Sequence, residues 1–357
     1  MSRLVFFHPA PEWDGLARVY LETGRALQAR GVTVAVACPA GSMVAAGVAP
    51  LAVLPIEDHG AWFSDGLRLG ATLRDFGCDA LVTAGDDDHL VAAWAVRRSG
   101  RGAVLRRMRT GIASPVTLKT RLAVRLAPTW FVYTSATEAE ASEPVKKLRG
   151  RLVADLAVDP AALDRIVGAP TPIGTITIAI VTDPQAQRAT AAALRTISLM
   201  RQRGHPIHTL LMGTPHDVNE VRVHATALGL GDALVMIGDR VDRASLLAAA
   251  DLVWVVADHD DGGIAVLDAM ALACPVVVTR GTMAERYVRH GETGIVADRD
   301  DAMASAALLT LLQSDAAALS RLGDAARADV RARRGLSAVA DAIITVLHDA
   351  AVAQVAA

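Results

Sequence analysis

The residues best suited to chemistry follow a short apolar run at 252–256. An acidic group at 258–261 comes directly after this predicted strand, and Gly262 and Gly263 then open a predicted helix that carries Asp268. Glycines at the start of a helix leave backbone N–H groups exposed at the positive end of the helix dipole, which suits a diphosphate. The Asp268 carboxylate can accept hydrogen bonds from hydroxyl groups of the same ligand. This pattern indicates a site for a diphosphate that also carries hydroxyl groups.

Several familiar active-site motifs are missing from the sequence. The first predicted strand is followed by PAPEWDG instead of a Gly-x-Gly-x-x-Gly turn, and Gly-x-x-x-x-Gly-Lys occurs nowhere. Dinucleotide oxidoreductases and P-loop ATPases are therefore disfavoured. No Gly-x-Ser-x-Gly segment or Cys/His pair supports hydrolase chemistry. Asp-x-Asp pairs at 86–88 and 258–260 are compatible with Mn²⁺ or Mg²⁺, but acidic loops at strand ends are common, so we predict no metal site.

Short apolar runs alternate with segments of helical period along the chain, which predicts parallel sheets covered by helices. A Pro- and Gly-rich segment at 166–174 interrupts this alternation and is interpreted as a linker. We therefore predict an α/β protein of two doubly wound Rossmann-like domains, 1–165 and 175–335, that face a central cleft. A long apolar helix at 336–357 is followed by no further strands and should pack back on the rest of the chain. Open sheets of this type bind ligands at the carboxyl ends of their strands.

The composition agrees with two apolar cores in a reducing compartment. The 357 residues are 52% hydrophobic, 21% charged and 4% aromatic, which is sufficient for two domains of about 150 residues each. The three cysteines are widely spaced, as in reduced cytosolic proteins. An uncharged stretch at 32–56 is long enough to span a bilayer, but prolines and glycines interrupt it, and the apolar LVFFH near the N-terminus is too short for a signal peptide. We predict a cytoplasmic protein.

Positive charge is concentrated in the first predicted domain. Residues 97–151 carry 13 Lys/Arg and three Asp/Glu, and residues 97–137 contain no acidic residue. One interpretation is a solvated basic face, or arginines that pair with acidic residues of the other half of the chain. The other is a surface that attracts a phosphorylated molecule or the inner face of a membrane. Nucleic acid is disfavoured, because interleaved aromatic residues and recognisable binding modules are absent.

The second half of the sequence resembles a known family. Over about residues 210–326, LLAAAD, DAMA, PVVVT and HGETG match the C-terminal half of the retaining GT-B glycosyltransferases of family 4, and the first half resembles the family more loosely. The resemblance implies a GT-B fold in which the helix at 336–357 crosses back to the first domain. It also implies transfer of a sugar from a nucleotide-diphosphate donor, with retention of anomeric configuration and without a metal or other cofactor. The acceptor would bind the first domain and, given the basic segment, would be lipid-linked or phosphorylated.

The donor signature of that family is Glu, seven residues, Glu, and its positions fall on Asp260 and Asp268, each one methylene shorter. The resemblance implies that Asp260 is the catalytic carboxylate near the donor hexose and that Asp268 contacts the ribose. A gap of roughly 1.5 Å from a shortened side chain can cost about a hundredfold in rate. Backbone groups at 237–240 would contact the base. The other donor-binding positions that the resemblance implies are Gly15, Arg188, Gly238, Arg240, Gly262, Gly263, Ile264 and Glu285.

Two departures from the family pattern concern charge and catalysis. Where the family has Arg and Lys to neutralise the diphosphate, this sequence has Asp183 and Arg188, so Asp183 should either point away from the donor or weaken its binding. The catalytic-domain histidine of the family is not visible, and His89 is the nearest histidine expected to face the cleft and act in catalysis. These departures leave two alternatives open: a GT-B-like binding or scaffold protein with a decayed donor site, and a nucleotide-sugar epimerase on the same fold.

Overall fold

The structure is a computed structural model. It describes residues 2–57, 60–108, 116–238, 242–298, 301–314 and 316–355, and it describes the side chains of all of these except 259–261, 301–302 and 349–355. The contacts between residues divide the chain into two compact units. The first contains the residues up to Leu156 and those from Leu336 onward, and the second runs from Ala157 to Gly335.

In the described part of the chain, the first unit is built on a parallel sheet of seven strands. These strands are β1 (Arg3–Phe7), β2 (Thr33–Pro39), β3 (Ala52–Ile56), β4 (Ala80–Ala84), β5 (Ala103–Arg107), β6 (Thr129–Tyr133) and β7 (Gly150–Val153). Their order across the sheet is β3-β2-β1-β4-β5-β6-β7. Because the order reverses between β1 and β4, the carboxyl ends of these two strands flank a switch point, where open α/β sheets bind ligands.

Helices cover this sheet. They are α1 (Gly15–Gln28), α2 (Met43–Gly47), α3 (Trp62–Phe76), α4 (Asp86–Ser99), α5 (Leu118–Leu126) and α6 (Ala136–Ala141). Asp14 caps α1, because its side chain accepts the N–H of Ala17 at 2.8 Å. Gly77 ends α3 in the left-handed conformation, with φ +73°, which only glycine adopts without strain.

The second unit repeats this architecture with the parallel order β10-β9-β8-β11-β12-β13. Its strands are β8 (Ile176–Val181), β9 (Ile207–Met212), β10 (Leu234–Gly238), β11 (Leu252–Val255), β12 (Val276–Thr279) and β13 (Ile295–Ala297). Its helices are α7 (Pro160–Leu163), α8 (Gln187–Gln202), α9 (Val218–Ala227), α10 (Arg243–Ala248), α11 (His259–Ala271), α12 (Asp301–Gln313) and α13 (Ala316–Arg333), with a 3₁₀ helix, η1, at Met283–Tyr287. The switch point of this sheet lies between β8 and β11.

The boundary between the units lies earlier in the sequence than predicted. The units divide after Leu156, not at residue 165, and the expected linker at 166–174 belongs to the second unit. The reason is local bonding: Ala169 donates its N–H to the Ser245 carbonyl at 2.9 Å, and a side chain at Gly168 would press on the backbone of Ala248. A Pro- and Gly-rich composition therefore accompanies an ordered segment here.

The last helix returns to the first unit. This helix, α14 (Leu336–Val355), packs on α1. An ion pair of 3.0 Å joins Arg30 Nε on the α1 side to Asp341 Oδ1. The first unit is therefore completed by the two ends of the chain.

Each unit encloses its own apolar core. Leu81 and Val104 are fully buried in the first, and Leu194 and Trp254 are buried in the second. The predicted α/β class with two doubly wound parallel sheets is confirmed. Among the described helices, none by itself is both long and apolar enough to cross a bilayer, and 303–313 with 316–333 reach that length only as a pair bent by 107°.

Candidate functional site

A polar cavity of about 630 Å³ lies at the switch point of the second sheet. Three segments form its walls: the start of α8 with Arg188, the loop after β11 with Asp258, and the loop after β12 with Thr282. The segments come together because parallel strands end at the same edge of the sheet. This cavity is the candidate site of the second unit.

Positive charge reaches this cavity from α8. Ala186 occupies the N-cap position without a side-chain hydrogen bond, so the first turn presents the positive end of the helix dipole. Arg188 and Arg195 both line the cavity, because residues seven positions apart lie on one side of a helix. The arrangement suits a phosphate or diphosphate. Arg195 was not among the predicted site residues, although its spacing from Arg188 would have indicated it.

Asp183, which stands where the family has arginine, is a buried structural carboxylate with 4% exposure. Its Oδ1 atom accepts the N–H groups of Gln185 at 2.9 Å and Ala186 at 2.8 Å, and its Oδ2 atom accepts that of Asp258 at 2.6 Å. The carboxylate therefore points into the backbone of two loops. The sequence left two outcomes open for Asp183, that it points away from the donor or that it weakens donor binding. The structure agrees with the first.

Asp258 extends this connection to a third loop. Its Oδ1 atom accepts the N–H of Met283 at 3.0 Å, at the start of η1. The two aspartates Asp183 and Asp258 thus tie together the loops that follow β8, β11 and β12. The sequence indicated only that Asp258 belongs to an acidic loop, because its partners are far away along the chain.

The helix that carries the glycine pair begins earlier than predicted. It starts at His259, so the Gly262 N–H donates to the Asp258 carbonyl at 3.1 Å and is not available to a diphosphate. Gly263 and Ile264 follow as buried residues inside the helix. An α-helix leaves the N–H groups of its first turn without partners within the helix, and in α11 that turn is 259–261. The prediction that Gly262 and Gly263 open the helix is wrong.

Gly262 instead allows a close approach of backbone to backbone. A Cβ atom at this position would lie far inside the van der Waals contact distance of the Ala257 carbonyl oxygen. Only glycine therefore fits between α11 and the end of the preceding loop.

The two predicted carboxylates of the donor signature lie on α11. Asp268 is 2% exposed, and its Oδ2 atom lies 3.9 Å from a terminal guanidinium nitrogen of Arg243, the first residue of α10. The structure thus places Arg243, which was not among the predicted site residues, beside Asp268. The side chain of Asp260 lies outside the described part of the structure, although its backbone belongs to the helix.

Two glycines shape the edge of the sheet near the predicted base site. Gly238 ends β10 with φ +71°, and its carbonyl accepts the N–H of Gly213 at 3.1 Å. Gly213 has φ +90°, and a side chain there would collide with the Thr182 carbonyl. The ends of β8 and β9 can approach because residue 213 has no side chain, whereas at Gly238 it is the positive φ that favours glycine. Arg240 lies outside the described residues.

Glu285 closes a loop. Its Oε2 atom accepts the N–H of Gly281 at 2.6 Å, and its Oε1 atom lies 3.3 Å from Arg280. Because both carboxylate oxygens already have partners, a donor contact at Glu285 would have to displace one of them.

His89 does not face a cleft. The residue is fully buried on α4, and its Nδ1 atom lies 3.3 Å from Nη1 of Arg106. Burial and the positive charge of Arg106 lower the pKa of His89 to about 3, so the ring is neutral. The prediction of His89 as a cleft-facing catalytic residue is wrong, because α4 begins at Asp86 and position 89, one turn later, points into the core.

The start of α1, where Gly15 was predicted to bind the donor, is held by a buried histidine. His8 Nε2 lies 2.9 Å from Asp14 Oδ1, and Gly15 is buried as the first helical residue. Burial lowers the pKa of His8, but the hydrogen bond and charge of Asp14 outweigh it and the pKa is raised. Burial raises the pKa of Asp14, but its bond to His8 and the charge of that ring leave it lowered. The pair fixes the turn between β1 and α1.

The basic segment 97–137 is partly neutralised within the first unit. Four of its cations form ion pairs there: Arg101 with Asp79, Arg106 with Asp86, Lys119 with Asp87, and Arg121 with Glu143. The Arg106 pair measures 2.5 Å and is largely buried. Acidic residues of the same unit therefore neutralise part of the positive charge of this segment.

The cysteines and the possible metal ligands among the described residues do not indicate thiol or metal chemistry. Cys38, Cys78 and Cys274 are buried free thiols, and burial raises the pKa of Cys78 and of Cys274 to about 12, which keeps them protonated. Within the described ranges, no three His, Cys, Asp or Glu residues gather so as to hold a metal ion.

Comparison with known proteins found a family match within the unit that contains this cavity. The family model of glycosyl transferases group 1 matches residues 190–329, all inside the second unit. Over these residues the second unit is similar to glycosyl transferases group 1. Its matched segment contains β9 through β13 with the helices between them.

Two curated proteins are similar to parts of this chain. The lipopolysaccharide core biosynthesis glycosyltransferase LpsE of Rhizobium meliloti is 26% identical over 141 residues, 40% of this chain. The N-acetyl-alpha-D-glucosaminyl L-malate synthase of Bacillus anthracis is 28% identical over 103 residues, 29% of this chain. The alignments span 42% and 27% of those two proteins.

The fold of the whole chain is similar to that of a solved structure. HepE of Anabaena, in a complex with UDP-glucose, matches with a TM-score of 0.77 and 16% identity, over 98% of this chain and 100% of HepE. The predicted GT-B fold class is confirmed by this similarity.

Proposed function

We propose that this chain transfers a sugar from a nucleotide-diphosphate donor to an acceptor, with retention of anomeric configuration and without a metal cofactor. The observation that carries the proposal is the cavity at the β8/β11 switch point, with Arg188, Arg195 and the start of α8 in its wall. The match of residues 190–329 to the family model of glycosyl transferases group 1 supports the reaction class. The likeness of the whole fold to HepE, solved with UDP-glucose, supports the donor class.

The chemistry follows from the charges in the cavity. When the bond between sugar and diphosphate breaks, negative charge develops on the leaving diphosphate. Fixed positive groups at that place stabilise the transition state more than the ground state. In our proposal Arg188, Arg195 and the first turn of α8 supply these groups, with the first turn of α11 as a second set of backbone donors.

The carboxylates of α11 would orient the donor. We assign the ribose to Asp268, with Arg243 close enough to hold its charge, and the hexose to Asp260. We also propose that the backbone at Gly238 contacts the base, beside the Gly213 pairing that fixes this edge. Loss of the ribose contact would leave a buried carboxylate without its hydroxyl partners, at a cost of about 1–3 kcal/mol.

Binding of nucleotides tests the donor site directly. Calorimetric titrations with UDP, GDP and ADP should show micromolar to millimolar binding of at least one of them. Arg188→Ala should weaken that binding about ten- to a hundredfold, which is the worth of one charge-assisted contact. Arg203→Ala removes an equal charge from the residue that caps the other end of α8 and should leave the affinity unchanged. If no nucleotide binds the unmodified protein at millimolar concentration, the proposed donor site is wrong.

Catalysis needs its own measurement. With the nucleotide sugar whose base binds best, NMR of the anomeric proton should show consumption of the donor and a first product of unchanged anomeric configuration, in the presence of EDTA. Inversion, or loss of turnover with EDTA, would refute retention or the metal-free reaction respectively. Asp260→Asn should slow turnover more than it weakens nucleotide binding, because the hexose and not the nucleotide is its proposed contact.

The second candidate is a GT-B-like binding protein with a decayed donor site, and the shorter Asp260 and Asp268 favour it. The buried bonding of Asp183 removes one argument for decay, because that carboxylate points into the backbone. Nucleotide binding without any consumption of nucleotide sugars would support the binding protein. Conversion of the nucleotide sugar to an epimer without transfer would support the nucleotide-sugar epimerase.

A further inference from the structure

The first unit contains a cavity of its own, of about 330 Å³. Its volume lies within the range of about 300–1,000 Å³ typical of small-ligand sites. Residues at the carboxyl ends of β1, β2 and β3 form one side, and α3 and α4 form the other. Phe7, Ile56, Leu69 and Val91 make its walls mainly apolar. The cavity therefore lies at the ligand-binding edge of the sheet, beside the β1/β4 switch point.

Asp65 places a carboxylate in the wall of this cavity. The residue is 9% exposed, and its Oδ2 atom accepts the N–H of Ala61 at 2.9 Å. Its Oδ1 atom is buried and has no hydrogen-bond partner among the residues that the structure describes. A buried carboxylate oxygen without a donor is costly. The bond to the Ala61 N–H explains why an aspartate stands at the start of α3, but it does not compensate the burial of Oδ1.

The other charged groups of the lining add to the negative charge. Glu57 and Asp88 contribute two further carboxylates, and Arg68 contributes a guanidinium that lies 3.6 Å from Glu57. Three carboxylates and one guanidinium leave this lining negative. The basic segment 97–137 provides none of the residues of this lining.

We propose that this cavity binds a small polar ligand through a protonated amino group, with Asp65 as its direct partner. An ammonium group gives a buried carboxylate a charge-assisted hydrogen bond, whereas a phosphate would be repelled by the negative lining. The apolar walls can face the C–H surface of a sugar-like ring. We identify this ligand as the acceptor of the transfer, an identification that rests on the function proposed above. The acceptor group then carries an amine, in contrast to the phosphorylated acceptor expected from the sequence.

Binding of monosaccharides of different charge tests this proposal on the full chain. Ligand-observed NMR with glucosamine, glucose and glucose 6-phosphate at millimolar concentration should show binding in that order, with none for the phosphate. Asp65→Asn keeps an oxygen for the Ala61 N–H but removes the charge, and it should weaken glucosamine binding about tenfold or more. Asp75→Asn makes the same change at an exposed position of α3 and should have no effect.

Two additional measurements separate the possible outcomes. Thr72→Phe fills the cavity from the same helix and should abolish glucosamine binding even if Asp65→Asn folds poorly. UDP titrations of every variant should match those of the wild type. If glucosamine binds no better than glucose, or if the Asp65 and Asp75 variants behave alike, the proposal is overturned while UDP binding still supports the donor site. If glucosamine binding depends on Asp65 but no nucleotide binds, the amine site stands and its identification as the acceptor site fails.

Discussion

Replacement of Asp183 by alanine tests whether this carboxylate holds the donor cavity together or acts on the donor. The side chain bonds to three backbone N–H groups in two loops, those of Gln185, Ala186 and Asp258. Alanine removes these three bonds to the carboxylate, and only the Ala186 N–H keeps another acceptor, the carbonyl oxygen of residue 183 at 3.2 Å. Asparagine retains one carbonyl oxygen, which can serve Gln185 and Ala186, but it turns an NH₂ group toward the Asp258 N–H.

The expected loss of stability follows from this bonding. A hydrogen bond to a charged group contributes about 1.5–3 kcal/mol. Gln185 is exposed, so its N–H can bond to water in the variant, and the bonds to Ala186 and Asp258 remain to be counted. Asp183→Ala should therefore lower the free energy of unfolding by about 3–6 kcal/mol, and Asp183→Asn by about half of that. In a unit of this size the alanine variant should melt about 6–24 °C lower.

Urea unfolding measures the free energy, and hydrogen exchange followed by mass spectrometry locates the effect. Faster exchange should be confined to peptides of the second unit around residues 182–190 and 256–285. Unfolding free energies equal to that of the wild type would refute the structural role of Asp183. Tighter UDP binding by a variant of unchanged stability would show instead that the Asp183 charge acts on the donor, which is the repulsion that the sequence alone suggested.

The remaining predictions concern a glycine, a buried pair and the basic segment. Gly262→Ala should lower the free energy of unfolding by about 1–3 kcal/mol, because the new methyl group meets a backbone carbonyl. Gly231→Ala is the control, because open space surrounds that position, and it should leave the free energy of unfolding unchanged. Equal urea midpoints for the two variants would contradict this prediction. The pKa of His8 is raised and that of Asp14 lowered, so their pair stabilises the fold fully between about pH 4 and 6.5. That stability is lost as pH rises through the folded-state pKa of His8 or falls through that of Asp14. The difference in unfolding free energy between wild type and Asp14→Asn should thus shrink as the pH rises above about 6.5, and a constant difference would argue against the pair. Through the basic segment 97–137, the protein should sediment with anionic vesicles at low salt and dissociate from them at high salt. An absence of binding at low salt would exclude the membrane contact.

The order of strands and helices could be predicted from the sequence because it depends on local patterns. Apolar runs of strand length, helical periods and glycines after helices all lie within a few residues of the element that they specify. The family resemblance over about 210–326 likewise rests on contiguous motifs, and the match at 190–329 confirms it. The helix at 336–357 was predicted for the same reason, from its uninterrupted apolar period.

The positions of individual side chains depended on contacts between distant segments. His89 follows a strand end like a site residue, but the helical phase of α4 turns it into the core beside Arg106. The glycine pair has the composition of a helix start, but α11 begins at His259, because the Asp258 carbonyl already accepts the Gly262 N–H.

The charge pattern shows the same division between local and distant information. The sequence by itself determined that cations accumulate at 97–137, since this is a property of composition, and its resemblance to the family implied that Asp183 stands where a cation is usual. Only the tertiary structure decided what those charges do: Arg106 is neutralised by Asp86, and Asp183 is satisfied by the backbone of two loops. Asp65 gave no signal in the sequence, because its buried oxygen and its cavity exist only after α3 packs against the ends of the strands. A charge acts on the groups within a few ångströms of it, and the tertiary fold alone selects those groups.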